Sequence, residues 1–521
     1  MSKRRRFIFN GTVLALSGIL LRTVAVSFNA YVSGRIGAEG MGLFSLVMSV
    51  YGLAVTLAAS GVNLASVRMT AEALADGAGT REIRAIMRRV LAYGCAFGVL
   101  SMAAVFLTAA PVGQILLADE RCIRSLRIMA FGMPMISMSA AMAGYFAGVG
   151  RAYKNALIGA VEQAVRIALI IAGIVIFADR GVEWACFALV AGQTAAEAGS
   201  LATSYIAYLA DRRRIKKSRT GAKPQERFGR ARSTQKSIFA RIFSIAMPVA
   251  LGSYVRQGFT TAEHIAIPWG LRKNGAGGTS ALERYGILHG MALPLVLYPS
   301  AVIGAFAGLL VPELAGISKY GDRAEVRRTA SAAIRMAIAF SVGVAGVFSF
   351  YGYELGISVY SSGEAGRYIR MLAPLVPMMF LDTTVDSVLK GLDEQIYTMK
   401  VNIIDAAICL IFVLLLVPRM GIMGYIVVIY VSEAVNAALS IDRMQQVTGI
   451  RVHARMLLVP GVFAFASHSA VRLFDTFIVL RFGKDLGIAA KICAMAALYA
   501  VLCFVSAKAE KRMQSIKSDE K

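Results

Sequence analysis

Phe9-Asn-Gly-Thr-Val-Leu-Ala-Leu-Ser-Gly-Ile-Leu-Leu-Arg22-Thr-Val-Ala-Val-Ser-Phe-Asn-Ala-Tyr-Val32 is a run of 24 residues interrupted by a single charge. A helix needs about 20 mostly apolar residues to cross a hydrocarbon core about 30 Å thick, so this stretch is long enough to span a bilayer. Similar stretches recur along almost the whole chain, with cores near 41–66, 90–112, 125–148, 156–177, 184–209, 239–266, 285–311, 331–352, 369–389, 401–418, 422–441, 456–475 and 486–507. The chain therefore reads as an all-α polytopic membrane protein with about 14 transmembrane helices. Composition agrees: 57% of the 521 residues are hydrophobic, only 17% are charged, and mean hydropathy is +0.63.

The formal net charge is +25, from 56 Lys and Arg against 31 Asp and Glu. On a soluble chain such an excess would suggest nucleic acid, but here the basic residues alternate from loop to loop. Lys3-Arg4-Arg5-Arg6, then Arg81, Arg84, Arg88 and Arg89, then Arg151 and Lys154, the segment 211–237, Arg323, Arg327 and Arg328, and the Lys-rich tail all fall on one side. The positive-inside rule assigns that side to the cytoplasm, with both termini there and the protein in the cytoplasmic membrane. The reading excludes a nucleic-acid partner and leaves membrane lipids as the natural surroundings.

Four histidines and six cysteines are scattered without C-x-x-C or any other ligand spacing, so no metal site is expected. No phosphate-cradling G-x-x-x-x-G-K-[ST] and no nucleophile elbow occur, and the connecting loops are too short for a catalytic domain. The protein is expected to be no enzyme and to carry no cofactor, with an optional coupling Na⁺ or H⁺.

The only long polar stretch, 211–237, divides the chain. Pro134, Gly148 and Glu162 recur as Pro377, Gly391 and Asp405, each displaced by 243 positions, and Met41-Gly42-Leu43-Phe44 is echoed by Tyr285-Gly286-Ile287-Leu288. The reading is a parallel repeat of two pseudo-symmetric six-helix bundles. Residues 1–210 form the first, 211–237 a basic cytoplasmic linker, and 238–446 the second, with two peripheral helices and a basic tail in 447–521. Such bundles rock about a cleft that holds substrate near the midplane.

Charged residues at a bilayer centre cost roughly 2.5–3.5 kcal/mol on insertion scales and usually face a cavity or a partner. Arg22 in the first span has its counterpart in Arg256 in the seventh, 234 positions on. Each either caps freed carbonyls or pairs a buried acid, or lines a site for an anion, for which the planar guanidinium is suited. Arg166 lies one turn after Glu162, which suits either an internal ion pair or a shared place in the cavity. Asp382, Asp386 and Lys390 form a ladder on one face of the tenth span. Asn402 and Asp405, with Glu433 and Asn436 on the next span, offer oxygen ligands for a cation or proton, unless Asp405 is simply hydrated near the helix end.

Gly34-Arg-Ile-Gly-Ala-Glu-Gly-Met-Gly-Leu-Phe44, Tyr285-Gly-Ile-Leu-His-Gly-Met-Ala-Leu-Pro294 and Leu310-Val-Pro-Glu313 resemble the polysaccharide-transport branch of the multidrug/oligosaccharidyl-lipid/polysaccharide exporter superfamily. Within it, the pattern is similar to the stage V sporulation protein B-type transporters and to the MurJ-type lipid II flippases. The resemblance implies a flippase that moves polyprenyl-diphosphate-linked sugars, precursors of peptidoglycan or another envelope polymer, by alternating access, with a link to sporulation and envelope-synthesis enzymes as partners. It implies that Arg22 and Arg256 hold the diphosphate, whereas other arginines of the flippase cavity are replaced by Phe28-Asn29 and Ala54-Val55-Thr56. Two further readings stay open: a drug/cation antiporter of the same superfamily, served by the acids, and a non-transporting membrane scaffold for envelope synthesis.

Overall fold

The computed structural model describes residues 3–75, 80–151, 153–219, 238–319, 321 and 323–519. Among them the chain is built from α-helices with short 3₁₀ and π segments and no strand. The first half carries α1 (Lys3–Ala59), α2 (Val62–Ala75), α3 (Thr80–Pro111), α4 (Cys122–Ala130), α5 (Gly132–Gly148), α6 (Tyr153–Phe177) and α7 (Val182–Arg219). The second carries α8 (Ile238–Lys273), α9 (Gly278–Tyr285), α10 (Leu293–Val296), α11 (Ser300–Lys319), α12 (Arg323–Tyr360), α13 (Gly363–Leu372), α14 (Val376–Gly391), α15 (Gln395–Met420) and α16 (Ile422–Thr448). Then follow α17 (Arg455–Leu473) and α18 (Asp475–Asp519).

Every predicted span falls on helix, but ten described helices pass as membrane-crossing by length and apolarity, or eleven if the bent pair α4–α5 counts as one span. The expected count of 14 is therefore not reached by that measure. One of the ten runs 53 residues from Arg22 to Leu74, far more than one bilayer requires, and is broken at Gly37 and again at Ser60-Gly61. Gly37 adopts φ 71°, ψ 179°, a conformation that an L-residue with a Cβ resists, so the helix bends within the Gly34–Phe44 stretch. α7 is diluted by Gln193, Thr194, Glu197, Ser200, Thr203 and Ser204, and α8 by Arg256, Gln257, Glu263 and His264, so neither reads as a strong apolar span.

The helices group into two compact units, one of residues 1–38 with 270–521 and one of residues 39–269. This departs from the expected division at the linker, because the first span groups with the second half and the seventh with the first half. The contacts give the reason. In one unit, Thr23 Oγ1 meets Tyr298 Oη at 2.7 Å and Tyr360 Oη donates to Asn29 Oδ1 at 3.2 Å. In the other, Ile242 and Ala246 of α8 are buried with Val62, Ala65 and Met69 of α2, and Thr261 donates to the Ser49 carbonyl at 3.1 Å. α7 also continues to Arg219, so residues 211–219 of the expected linker are helical, while 220–237 lie outside the described residues.

Each unit has its own core. Met87, Met142, Tyr145, Phe146 and Tyr208 fill the space among α3, α5 and α7. Ile334, Ile338, Val385, Leu389 and Met444 do the same among α12, α14 and α16. Gly148 and Gly391 each sit at a close helix contact. A Cβ on Gly148 would lie 2.8 Å from the Val67 carbonyl oxygen on α2, and one on Gly391 would lie 3.0 Å from the Val311 carbonyl oxygen on α11. Two residues 243 positions apart thus each admit a close helix approach inside their own units.

Candidate functional site

Arg22 is half-buried on the first stretch of α1 and donates from Nη2 to the carbonyl oxygen of Leu297 at 3.3 Å. That carbonyl lies where the eighth span is broken. A π-helical turn over Gly286–Ala292 leads into α10, the chain turns at Tyr298-Pro299, and α11 resumes at Ser300. Proline cannot donate a backbone hydrogen bond, so carbonyls at such a break need other partners. The Leu297 carbonyl already accepts from Ser300 N–H at 3.1 Å and Ser300 Oγ at 2.6 Å, so Arg22 adds a third and longer contact through a single N–H, and no carboxylate pairs with it among the described residues. Of the two roles open to it, carbonyl capping is therefore filled in part, with the remainder of a charged fork left over.

Arg256, on α8 in the other unit, is exposed, and its guanidinium has no protein partner among the described residues. An uncompensated guanidinium in a membrane span needs water or an anion. Arg22 and Arg256 share this lack of an acidic partner.

Arg166 is different. On α6 its Nη2 pairs with Glu162 one turn earlier, its Nη1 donates to Gln163 Oε1 at 2.9 Å, and Glu197 on α7 stands 3.9 Å away. Glu162 also accepts from Ser200 Oγ at 2.7 Å, and Glu197 accepts from Tyr51 Oη and Gln193 Nε2, both at 3.0 Å. Arg166 and Glu162 therefore belong to a polar network internal to their unit, in which the two Nη groups are engaged by Glu162 and Gln163 while the buried Nε has no partner. Glu197, Tyr51, Gln193 and Ser200 were not singled out by sequence reasoning. The available signal was a second displacement: Glu197 and Ser200 precede Glu433 and Asn436 by 236 positions each.

The corresponding cluster in the other unit lacks the internal cation. Asp405 on α15 accepts from Ser432 on α16, as Glu162 accepts from Ser200, but the residue 243 positions after Arg166 is Cys409. Asp382 Oδ2 accepts from Asn436 Nδ2 at 3.2 Å, and the hydroxyl of Ser440 lies beside the same carboxylate. Glu433 lies close enough to Asp382 and Asp405 for both to act on it electrostatically. Asp386 is paired with Lys390 at 3.1 Å, and Asn402 turns back to donate to the Thr398 carbonyl at 2.7 Å. The structure thus brings Asp382, Asp405 and Glu433 together, keeps Asp386 beside them on its own lysine, and leaves Asn402 out. Among the described residues no three His, Cys, Asp or Glu side chains converge closely enough to hold a metal ion. A cluster of acids in low dielectric is balanced by a proton or a monovalent cation, the latter completed by hydroxyl and amide oxygens.

These features define a multi-span membrane transport protein, helical throughout its described residues, with guanidinium groups on α1 and α8 that lack an acidic partner there and an acid cluster on α14, α15 and α16. The chain belongs to the polysaccharide biosynthesis protein family, whose pattern matches residues 8–318. Stage V sporulation protein B of Bacillus subtilis (strain 168) is 26% identical over 514 residues, covering 96% of each chain. The lipid II flippase MurJ in an inward closed conformation shares the fold with a TM-score of 0.68, at 12% identity over 96% of this chain and 98% of that one. An inward-facing multidrug resistance MATE family transporter of the MOP superfamily aligns with a TM-score of 0.57, at 15% identity over 84% of this chain and all of that one.

Proposed function

We propose that the protein is a flippase that moves polyprenyl-diphosphate-linked sugars, precursors of peptidoglycan or another envelope polymer, across the cytoplasmic membrane by alternating access. The observation that carries this is the pair of in-span arginines, Arg22 and Arg256, neither of which has an acidic partner among the described residues. A guanidinium fork is suited to a phosphate, and each charge-assisted hydrogen bond contributes roughly 1.5–3 kcal/mol. The polyprenyl tail stays in lipid while the sugar head crosses. Membership of the polysaccharide biosynthesis protein family supports a sugar polymer precursor as cargo, and the likeness to a stage V sporulation protein and to a lipid II flippase supports a lipid-linked one.

The sign of the loops, basic on the side of both termini, orients the protein with its termini in the cytoplasm. Mass spectrometry of lipids co-purified with the protein tests the class of cargo. A polyprenyl-diphosphate sugar retained by the unaltered protein and lost from the R22A/R256A variant is the expected result. Retention of the same lipid by both proteins contradicts the assignment of the arginines.

A second reading, a drug/cation antiporter, is favoured by one observation only, the cluster of Asp382, Asp405 and Glu433 without an arginine of its own. Dye efflux driven by a proton or Na⁺ gradient and abolished by D382N/D405N separates that reading from the first. In the flippase, the same cluster serves as the place where a coupling H⁺ or Na⁺ rides.

A further inference from the structure

The two C-terminal spans, α17 and α18, lie outside the internal repeat and pack on α12. Tyr351, Ala464, Met495 and Tyr499 fill that contact, and the ring of Tyr499 fits against Gly343, where a Cβ would lie 2.5 Å from Cε1. Between α12 near Arg335, the start of α17 and α18 near Cys503 runs a groove of about 730 Å³. The volume lies within the roughly 300–1,000 Å³ range of small-molecule sites.

The lining of this groove is divided. Its wall is apolar, with Val459 and Phe463 from α17 and Phe504 from α18, and its rim carries Arg335 from α12 with His453 and Arg455 at the start of α17. Its floor is built rather than loosely collapsed, since the Tyr499 hydroxyl donates to the Ala339 carbonyl beside Cys503. No carboxylate lines the groove, and among the described residues neither Arg335 nor Arg455 has an ion-pair partner. Elsewhere in the same unit an arginine beside a helix end is neutralised, as Arg443 is by Glu394 at 2.7 Å. Two unneutralised guanidinium groups over an apolar wall, at a level where side chains reach the membrane surface, complement an amphiphile with an anionic head.

We propose that this groove is a binding site for one anionic glycerophospholipid, its phosphate held by Arg335 and Arg455 and its acyl chains laid against Val459, Phe463 and Phe504. Arg323, Arg327 and Arg328 precede Arg335 on α12 and Lys508 follows on α18, so the positive-inside rule places the site in the cytoplasmic leaflet, whose own lipids are the anionic ones. The peripheral helices then serve to fasten the second unit to that leaflet. The site is separate in residues from Arg22 and Arg256, and it does not rest on which lipid-linked sugar those arginines take.

Native mass spectrometry of the full-length protein released from phosphatidylcholine nanodiscs doped with phosphatidylglycerol tests the assignment. The unmodified protein is expected to retain one phosphatidylglycerol under activation that strips phosphatidylcholine. R335Q/R455Q is expected to bind it at least about tenfold more weakly, the loss of a charge-assisted hydrogen bond to the phosphate. R323Q/R328Q, which removes the same charge outside the groove, is expected to leave occupancy unchanged. Equal retention of the two phospholipids by the unmodified protein overturns the proposal without recourse to any variant, and so does unchanged binding in R335Q/R455Q. Displacement of phosphatidylglycerol by an equal concentration of undecaprenyl diphosphate also overturns it, because the groove would then belong to the diphosphate of a lipid-linked cargo.

Discussion

At the residue scale, the charges of this chain separate by whether an opposite charge accompanies them. Among the described residues Arg22 and Arg256 have no acid, whereas Arg166 has two, so three arginines that look alike in an apolar sequence differ in what they can offer a ligand. Asp211 shows the same principle outside the spans. Its side chain is fully buried at the end of α7, accepts from Tyr145 Oη at 3.2 Å, and is paired with Arg151 and Lys154 across the short connection between α5 and α6. Burial opposes its ionisation, but hydrogen bonds from Lys154 and Arg151 outweigh that and hold its carboxyl below the usual aspartate range. A depressed carboxylate contributes stability that is fully present above the unfolded value, about 3.9, and is lost as pH falls through the folded one. D211N is therefore expected to lower stability by about 3 kcal/mol at pH 7, the low end for breaking a buried pair. Thermal unfolding should show the gap between variant and parent closing only below about pH 4. A gap that closes between pH 6 and 8 contradicts this account of Asp211.

At the element scale, the repeat makes a paired prediction. A Cβ on Gly148 would lie 2.8 Å from the Val67 carbonyl oxygen and one on Gly391 would lie 2.9 Å from Leu314 Cβ, so α5 and α14 each approach a neighbouring helix too closely for an unadjusted alanine. Alanine at either position is expected to cost about 1–3 kcal/mol by overpacking, with similar falls in melting temperature for G148A and G391A. A loss at one site alone would show that only one crossing is tight. Much of this was legible in the sequence because an apolar run of about 20 residues and a shared displacement of Pro, Gly and acid are local or one-dimensional signals. The exchange of the first and seventh spans between units was not, since it depends on long-range contacts such as Thr23 with Tyr298 and Thr261 with Ser49. The partners of Arg166 were also missed, because Tyr51, Gln193 and Glu197 lie on other helices and sit in sequence among small residues without a motif. The break in α1 at Gly37 falls inside a stretch already singled out, yet a glycine-rich loop and a glycine kink look the same before the backbone is seen.

At the scale of the whole molecule, the two units carry related acid clusters with different charge balance. One has Arg166 within it, and the other has cysteine at the matching position with Lys390 alone, paired with Asp386, as its basic neighbour among the described residues. Membrane potential supplies a driving force. With the cell interior negative, export of each net negative charge gains roughly 2.3 kcal/mol per 100 mV, a factor of about 50 in the equilibrium ratio. Arg22 and Arg256, which lack an acidic partner among the described residues, are proposed to hold the diphosphate of the cargo during this crossing. The most direct measurement is outward flipping of a fluorescent polyprenyl-diphosphate sugar by protein reconstituted in vesicles, comparing the unaltered chain with R22A, R256A and the double variant under an imposed potential. Each single variant is predicted to slow flipping at least about tenfold, the loss of one charge-assisted contact, and the double variant to reduce it to the rate of empty vesicles. Flipping at the unaltered rate by R22A/R256A would contradict the account.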